Sequence, residues 1–330
     1  MKENTPISLD NGIYLLDLFD LGWPKRTGSY AILGEHPTII ETGPSPSVSF
    51  LLDGLKQLGI DPHDLHYVIV THIHLDHAGG AGLLLRECPN AKIVVHPKGA
   101  SHLINPEKLI RGAKAVYGDR FDELFHPILA IPEQQVLIME DRGTLRIGPN
   151  RVLQFFDSPG HANHHFTIFD PLSRGVFTGD TVGIQYAQAV ESGVPLYLPT
   201  TSPNQFNPEA MRQSIKMIRR LNPDKIYFGH FGATTDISCL DGVESWLDTF
   251  VSIGRNCWEQ GQGITELAEA LLVPIEEYLS TWNVKADHPV YEVLRLDMYV
   301  CAMGILDYFQ RSSRSANVHY QTRQKEDQML

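Results

Sequence analysis

Seven residues set the terms for any fold this chain adopts: Thr71-His72-Ile73-His74-Leu75-Asp76-His77, directly after the apolar run Tyr67-Val68-Ile69-Val70. The run reads as a buried strand, and three imidazoles and a carboxylate crowded at its end mark a metal site. If the strand continues into the motif, alternate side chains share a face, so His72 and His74 project together while Ile73 packs inward. The chain then turns at Asp76-His77 into Ala78-Gly79-Gly80-Ala81-Gly82-Leu83-Leu84-Leu85, which reads as a helix start with small residues for close approach. Imidazole and carboxylate are ordinary ligands of zinc, iron and manganese. The plain alternative is an Asp76 N-cap beside histidines on a polar strand end. It leaves the density of donors unexplained.

Around this motif the chain alternates short strands with helices. Ile13 to Phe19, Tyr30 to Leu33 and Thr38 to Ile40 read as strands, and Pro46 to Leu58 as a helix closed by Gly59. Val68 to Thr71 and Lys92 to Val95 then flank the helix after the motif, and Pro106 to Tyr117 offers another helix. The second half repeats the logic, with strands at Thr144 to Ile147, Val152 to Phe156, Phe166 to Phe169 and Gly175 to Thr178, a helix at Pro208 to Leu221 and a strand at Lys225 to Phe228. Strands followed by a helix in each half predict an α/β fold of two sheets packed face to face with helices outside. From Leu240 onward helical patterns take over: Val243 to Glu259, Thr265 to Leu272, Pro274 to Leu279 and Pro289 to Phe309. The expected organisation is a main domain over residues 1–239, a helical region over 240–311 and, from its polar composition, a flexible tail over 312–330.

Charge and cysteine usage narrow the function. A net charge of −12 disfavours nucleic acid, whose phosphates need a basic surface. Cys88, Cys239, Cys257 and Cys301 are far apart and form no C-x-x-C pair, so they read as reduced buried thiols. The first residues show no basic-then-apolar leader, and no run of apolar residues is long enough to span a bilayer. These features predict a cytoplasmic enzyme with a small-molecule substrate, no nucleic-acid or membrane partner, and room for a homodimer.

Three further fragments end in a donor residue after a strand: Phe156-Asp157-Ser158-Pro159-Gly160-His161, Val176-Phe177-Thr178-Gly179-Asp180-Thr181 and Tyr227-Phe228-Gly229-His230-Phe231-Gly232. A lone strand-end histidine is ordinarily a turn or core residue; several at one end of the strands are where binding residues gather. With His72-x-His74-x-Asp76-His77 they resemble, in order and over about residues 10 to 235, the metallo-β-lactamase fold superfamily of hydrolases. The resemblance implies an αββα sandwich of two packed mixed β-sheets with outer helices, followed by a C-terminal helical region. It also implies two divalent metal ions, zinc foremost with iron or manganese admitted. His72, His74 and His161 would hold one ion and Asp76, His77 and His230 the other, with Asp180 bridging. Glu41-Thr42-Gly43 departs from the family's frequent Asp-Thr-Gly, at a position that supports the ligands rather than joining them.

A site of this composition sums to about +1 with a bridging hydroxide, which favours a carbonyl oxygen gaining negative charge. The expected reaction is hydrolysis of an ester-like bond (a thioester, a lactone or a related acyl compound) by that hydroxide, with Asp76 orienting it and handling its proton. Within the superfamily, the glyoxalase II-like group with its thioesterases and lactonases remains after the flavodoxin-bearing, RNA-processing and secreted β-lactamase branches are set aside. Two other classes stay open: a mononuclear iron dioxygenase of persulfide type and a regulatory protein retaining a metal site. The segment Tyr186 to Phe206 reads as a lid, which makes Tyr186 and Tyr197 candidate substrate contacts alongside His164; His164 and His165 should face opposite ways. Lys285 and Arg295 are the candidates for a basic cluster at the mouth.

Overall fold

Alternation along the strands sorts this chain into four layers. In the computed structural model, which describes residues 5–327 and only the backbone from 315 onward, Leu15, Ile40, Ile69 and Val94 face one way and Leu16, Ile39, Val68 and Ile93 the other. The first set meets Leu153, Phe155, Phe166, Ile168 and Phe177 of a second sheet, forming the central core. The second set packs on Leu51, Leu55 and Leu84 from outer helices. A period of two on a pleated strand delivers one residue to each layer in turn, so both faces of these strands are apolar.

The first sheet has seven strands in chain order, from Ile7–Ser8 through Ile13–Asp17, Gly28–Ile32, Thr38–Ile40, Tyr67–Ile69 and Lys92–Val95 to Val136–Ile138. It is antiparallel as far as Thr38–Ile40 and parallel beyond. The second has six, in the order Ala233–Thr234, Lys225–Tyr227, Gly175–Phe177, Phe166–Asp170, Arg151–Asp157 and Thr144–Gly148. Only Gly175–Phe177 and Lys225–Tyr227 run parallel there. This is the expected αββα sandwich of two mixed sheets.

One local expectation changes. The strand before the motif stops at Ile69, and His72 and His74 lie in a loop that leads into a helical turn at Leu75–Ala78. Val70 still donates to the Val94 carbonyl, but the carbonyl of Thr71 already accepts from Phe166 of the second sheet. The chain therefore crosses from one sheet to the other at Thr71, and the histidines converge through this crossing rather than through strand alternation.

The C-terminal helices are Cys239–Glu259, Ile264–Thr281 and Val290–Asp327. Pro274, expected to divide two helices, lies inside the second one. Leu267, Leu271, Ile275 and Leu279 keep one buried stripe through it, and that burial outweighs the missing N–H. The last helix continues past Ser312, where polar composition predicted a tail; residues 328–330 lie outside the described residues. No proline or glycine follows Gly304 to stop it. Its backbone also touches the main domain: Thr201 Oγ1 donates to the Cys301 carbonyl at 2.7 Å, and a Cβ at Gly304 would lie 2.9 Å from the Ser202 backbone. Among the described residues no helix is long and apolar enough to cross a membrane.

Candidate metal centre

Loops at one end of the sandwich carry the donors inward. His72 and His74 come from the crossing loop, Asp76 and His77 from the helical turn, and His161, Asp180 and His230 from turns after strands of the second sheet. His74 Nδ1 lies 2.9 Å from His72 Nε2 and 2.8 Å from His161 Nε2. Neutral imidazoles carry one proton each, so three ring nitrogens this close suit a shared cation better than mutual hydrogen bonding. Asp76, His77 and His230 form a second group, with Asp76 Oδ2 3.6 Å from both His77 Nε2 and His230 Nε2.

Asp180 stands between the groups. Its Oδ2 is 3.3 Å from His161 Nε2 and 4.0 Å from His72 Nε2, while its Oδ1 is 3.2 Å from His77 Nε2 and 3.6 Å from His230 Nε2. Asp180 Oδ1 and His77 Nε2 are buried without a hydrogen-bond partner. Buried polar atoms are costly unless satisfied, and here the orphans aim at each other's group. The donor set, nitrogen and carboxylate oxygen without thiolate, fits divalent zinc, iron or manganese.

Supporting contacts fix which nitrogen faces inward. His161 Nδ1 donates to the Thr200 carbonyl at 3.1 Å, leaving Nε2 as the lone pair. His72 Nδ1 is 3.1 Å from Thr71 Oγ1, whose hydroxyl donates to Glu41 Oε1 over a short contact. Glu41 Oε1 also accepts from Thr71 N at 3.3 Å and lies 3.5 Å from His77 Nδ1, so this one carboxylate backs a ligand in each group. Glu41 holds this place with φ of 73°, a conformation costly for a residue with a Cβ. Gly229 is required for another reason: a Cβ there would lie 2.8 Å from His77 Cε1.

Burial and charge act differently on the two groups. Burial, with neighbouring imidazoles, holds His72 and His74 well below the ordinary histidine pKa, and burial lowers His161 also. Burial opposes charge on His77 as well, but the carboxylates of Asp180, Asp76 and Glu41 outweigh it and raise its pKa well above the usual value. His230 is raised in the same way, chiefly by Asp180. Burial would raise Asp180, yet His77, His230 and His161 hold it well below the usual carboxylate range.

The centre opens into a cavity of about 330 Å³. Its walls combine an apolar face of the helix Glu107–Tyr117, including Leu109, Ala113 and Val116, with a polar segment running from Thr200 to Gln205. His164 lines it, while His165 turns away, hydrogen-bonded to Ser158 Oγ at 2.9 Å and accepting from the Asp180 N–H at 3.1 Å. Tyr186 and Tyr197 are not on the wall. The Tyr186 hydroxyl donates to Asp297 from behind it, and Tyr197 stacks on Phe228 in the core beneath the C-terminal helices. Lys285 and Arg295 do not line it either; the cationic side chains on the wall are Arg26 and Lys108. Arg26 and Asp297, from opposite ends of the chain, escaped the sequence reading because neither sits in a motif. The C-terminal helix supplies Asp297 and Val300, so that region forms part of the cavity.

With this geometry in place, the comparisons with known proteins agree on one family. The family model described as the metallo-beta-lactamase superfamily matches residues 25–230. A metallo-beta-lactamase fold-containing protein of Sulfurisphaera tokodaii, ST1585, is 26% identical over 228 residues, covering 67% of this chain and 78% of its own length. Its solved structure superposes with a TM-score of 0.63 at 21% identity, covering 89% of this chain and 98% of that one. A probable metallo-hydrolase of Methanocaldococcus jannaschii, MJ0888, is 28% identical over 213 residues, covering 63% of this chain and 89% of the relative. An N-acyl homoserine lactonase of Bacillus thuringiensis is 26% identical over 180 residues, covering 53% of this chain and 60% of the lactonase.

Proposed function

The chain belongs to the metallo-beta-lactamase superfamily, a largely hydrolytic one, and from that premise we propose that it is a dinuclear metallohydrolase acting on an ester-like bond, with a lactone or thioester as substrate. The observation that carries this reading is the division of Asp180: one carboxylate oxygen faces His72 and His161, the other His77 and His230. A carboxylate so placed would serve two cations at once. His72, His74 and His161 would hold one ion and Asp76, His77 and His230 the other, with Asp180 shared. Bound divalent ions supply Lewis acidity and a water made acidic, with a pKa near ~7.

The chain's own residues do the rest. Asp76 is half-buried, its side chain 29% accessible, and it sits on the cavity wall where its carboxylate can orient a water and take up its proton. The apolar helix face seats an acyl chain, and the hydroxyl and amide groups from Thr200 to Gln205 meet the polar end. His164, neutral because burial lowers its pKa to about 3, offers an uncharged imidazole to the substrate. Similarity to a lactonase supports the acyl-ester class.

Elemental analysis of protein purified without added metal, followed by a screen of lactones, thioesters and phosphodiesters on the same sample, tests this. Two metals per chain and turnover of a lactone or thioester, abolished by a chelator and restored by metal, are expected. One iron per chain with oxygen uptake would instead identify a dioxygenase, and a metal-replete protein with no rate on any substrate of the screen would leave the reading of a regulatory protein retaining a metal site.

A further inference from the structure

The cavity wall beside Asp76 carries an ionic cluster that the metal centre does not use. Arg26 lies in the turn before the strand Gly28–Ile32, its side chain only 11% exposed and lining the cavity. Its Nη2 donates to Asp297 Oδ1 at 2.8 Å, and its Nε lies 3.6 Å from Asp20 Oδ2 without forming a hydrogen bond. Each carboxylate is itself held. The Tyr186 hydroxyl donates to Asp297 Oδ2 at 3.0 Å, and Thr27 Oγ1 donates to Asp20 Oδ2 at 3.0 Å. The guanidinium is thereby locked in one orientation, and its Nη1 has no hydrogen-bond partner among the described residues.

Charge decides what such a group can receive. An unpaired arginine in a cavity attracts a carboxylate, but this one stands between two carboxylates. Burial pushes the Asp20 carboxyl upward in pKa, so the cluster is neutral if Asp20 is protonated and negative if it is not. In neither state is it positive. A substrate carboxylate brought here would find no net positive charge from the cluster to offset its desolvation, whereas a carbonyl oxygen would find a fixed N–H donor at little desolvation cost. Lys108, exposed on the wall, is a hydrated mobile charge and does not alter that balance.

We propose that Arg26, neutralised by Asp297 and Asp20, is the specificity-determining residue of the cavity, and that it selects uncharged esters or lactones over acyl compounds carrying a carboxylate. The proposal rests on the hydrolytic reading above for the reaction but not for the binding.

The test uses the metal-loaded full chain and two hydrolysis-inert probes, an alkyl γ-lactam and the same lactam bearing a carboxylate next to the ring, with binding followed by calorimetry. The corresponding pair of lactones is followed for turnover. The wild-type protein should bind the neutral lactam at least about tenfold more tightly than the carboxylated one, and Asp297→Asn should shift that ratio by about tenfold towards the carboxylated probe. Arg26→Gln should weaken the neutral lactam by about tenfold, which gives a second reading if Asp297→Asn does not fold. Preference of the wild type for the carboxylated lactam, an unchanged ratio in Asp297→Asn, or full neutral binding in Arg26→Gln would each overturn the assignment. If the lactams behave as expected while neither lactone is cleaved, the specificity assignment holds and the hydrolase reading fails.

Discussion

The two donor groups of the centre sit side by side yet are built differently. His72, His74 and His161 form an all-imidazole set kept neutral by burial, in which His72 donates to Thr71 Oγ1 and His161 to the Thr200 carbonyl. Asp76, His77 and His230 include a carboxylate, and His77 is positioned by an ionic contact to Glu41 and by the absence of a side chain at Gly229. One set is oriented by directional bonds, the other by charge and close packing. Similar ligands can thus be held by unlike means, and the two halves should fail in different ways.

The largest effect should come from the residue common to both. Asp180→Ala is expected to lower metal content in both groups and to reduce kcat by at least about two orders of magnitude, the scale of removing one preorganised stabilising group; retention of two metals with full turnover would refute the shared role. His161→Ala and His230→Ala should each lower the metal count by about one, at a different group in each, and metal-edge spectroscopy on the two variants would show whether the remaining environment holds two carboxylates, Asp76 and Asp180, or Asp180 alone among imidazoles. Glu41→Gln should be milder. Because Glu41 meets His77 directly but reaches His72 only through Thr71, metal affinity should fall by about 10–100-fold and mainly at the Asp76 group, as read by competition with a chelator; equal weakening of both ions would erase the distinction between the groups. Tyr197→Phe should do least. Its hydroxyl meets Thr234 Oγ1 at 3.5 Å and the Gln185 side chain, so about 1 kcal/mol of stability is at stake in a denaturant titration, and kcat/KM should not move. A large change in KM would return Tyr197 to the substrate.

What the sequence makes legible follows from how far each signal reaches. The alternation in Tyr67 to Val70 and Lys92 to Val95 is local, and it specifies which residue enters which layer. The seven candidate donors stand out because four are crowded between His72 and His77 and the other three follow strands at turns, and strand ends on one side of a sandwich are brought together by the fold itself. His164 and His165 do face different ways, but from the turn that precedes the strand Phe166–Asp170 rather than from its pleat. The strand end at Ile69 is not legible, because only the contact between Thr71 and Phe166 of the second sheet decides where the first sheet lets go. Tyr186 and Tyr197 lie in a proline-rich stretch with few charges, and an aromatic that closes a core looks there like one that lines a lid. Pro274 breaks a helix by propensity, and only the buried stripe on either side reveals that tertiary packing prevails. The Arg26–Asp297 pair, separated by 271 positions, has no local signature at all.

Asp297 and Val300 reach the cavity from a helix that begins after all seven candidate metal donors have already appeared in the chain. One part of the cavity wall is therefore written apart from the stretch that carries the candidate metal donors. Substitutions in the last helix can accumulate, and the repertoire of accepted molecules can drift, while the reactive centre stays under its own constraints. A lineage carrying this arrangement can change its diet without relearning its chemistry.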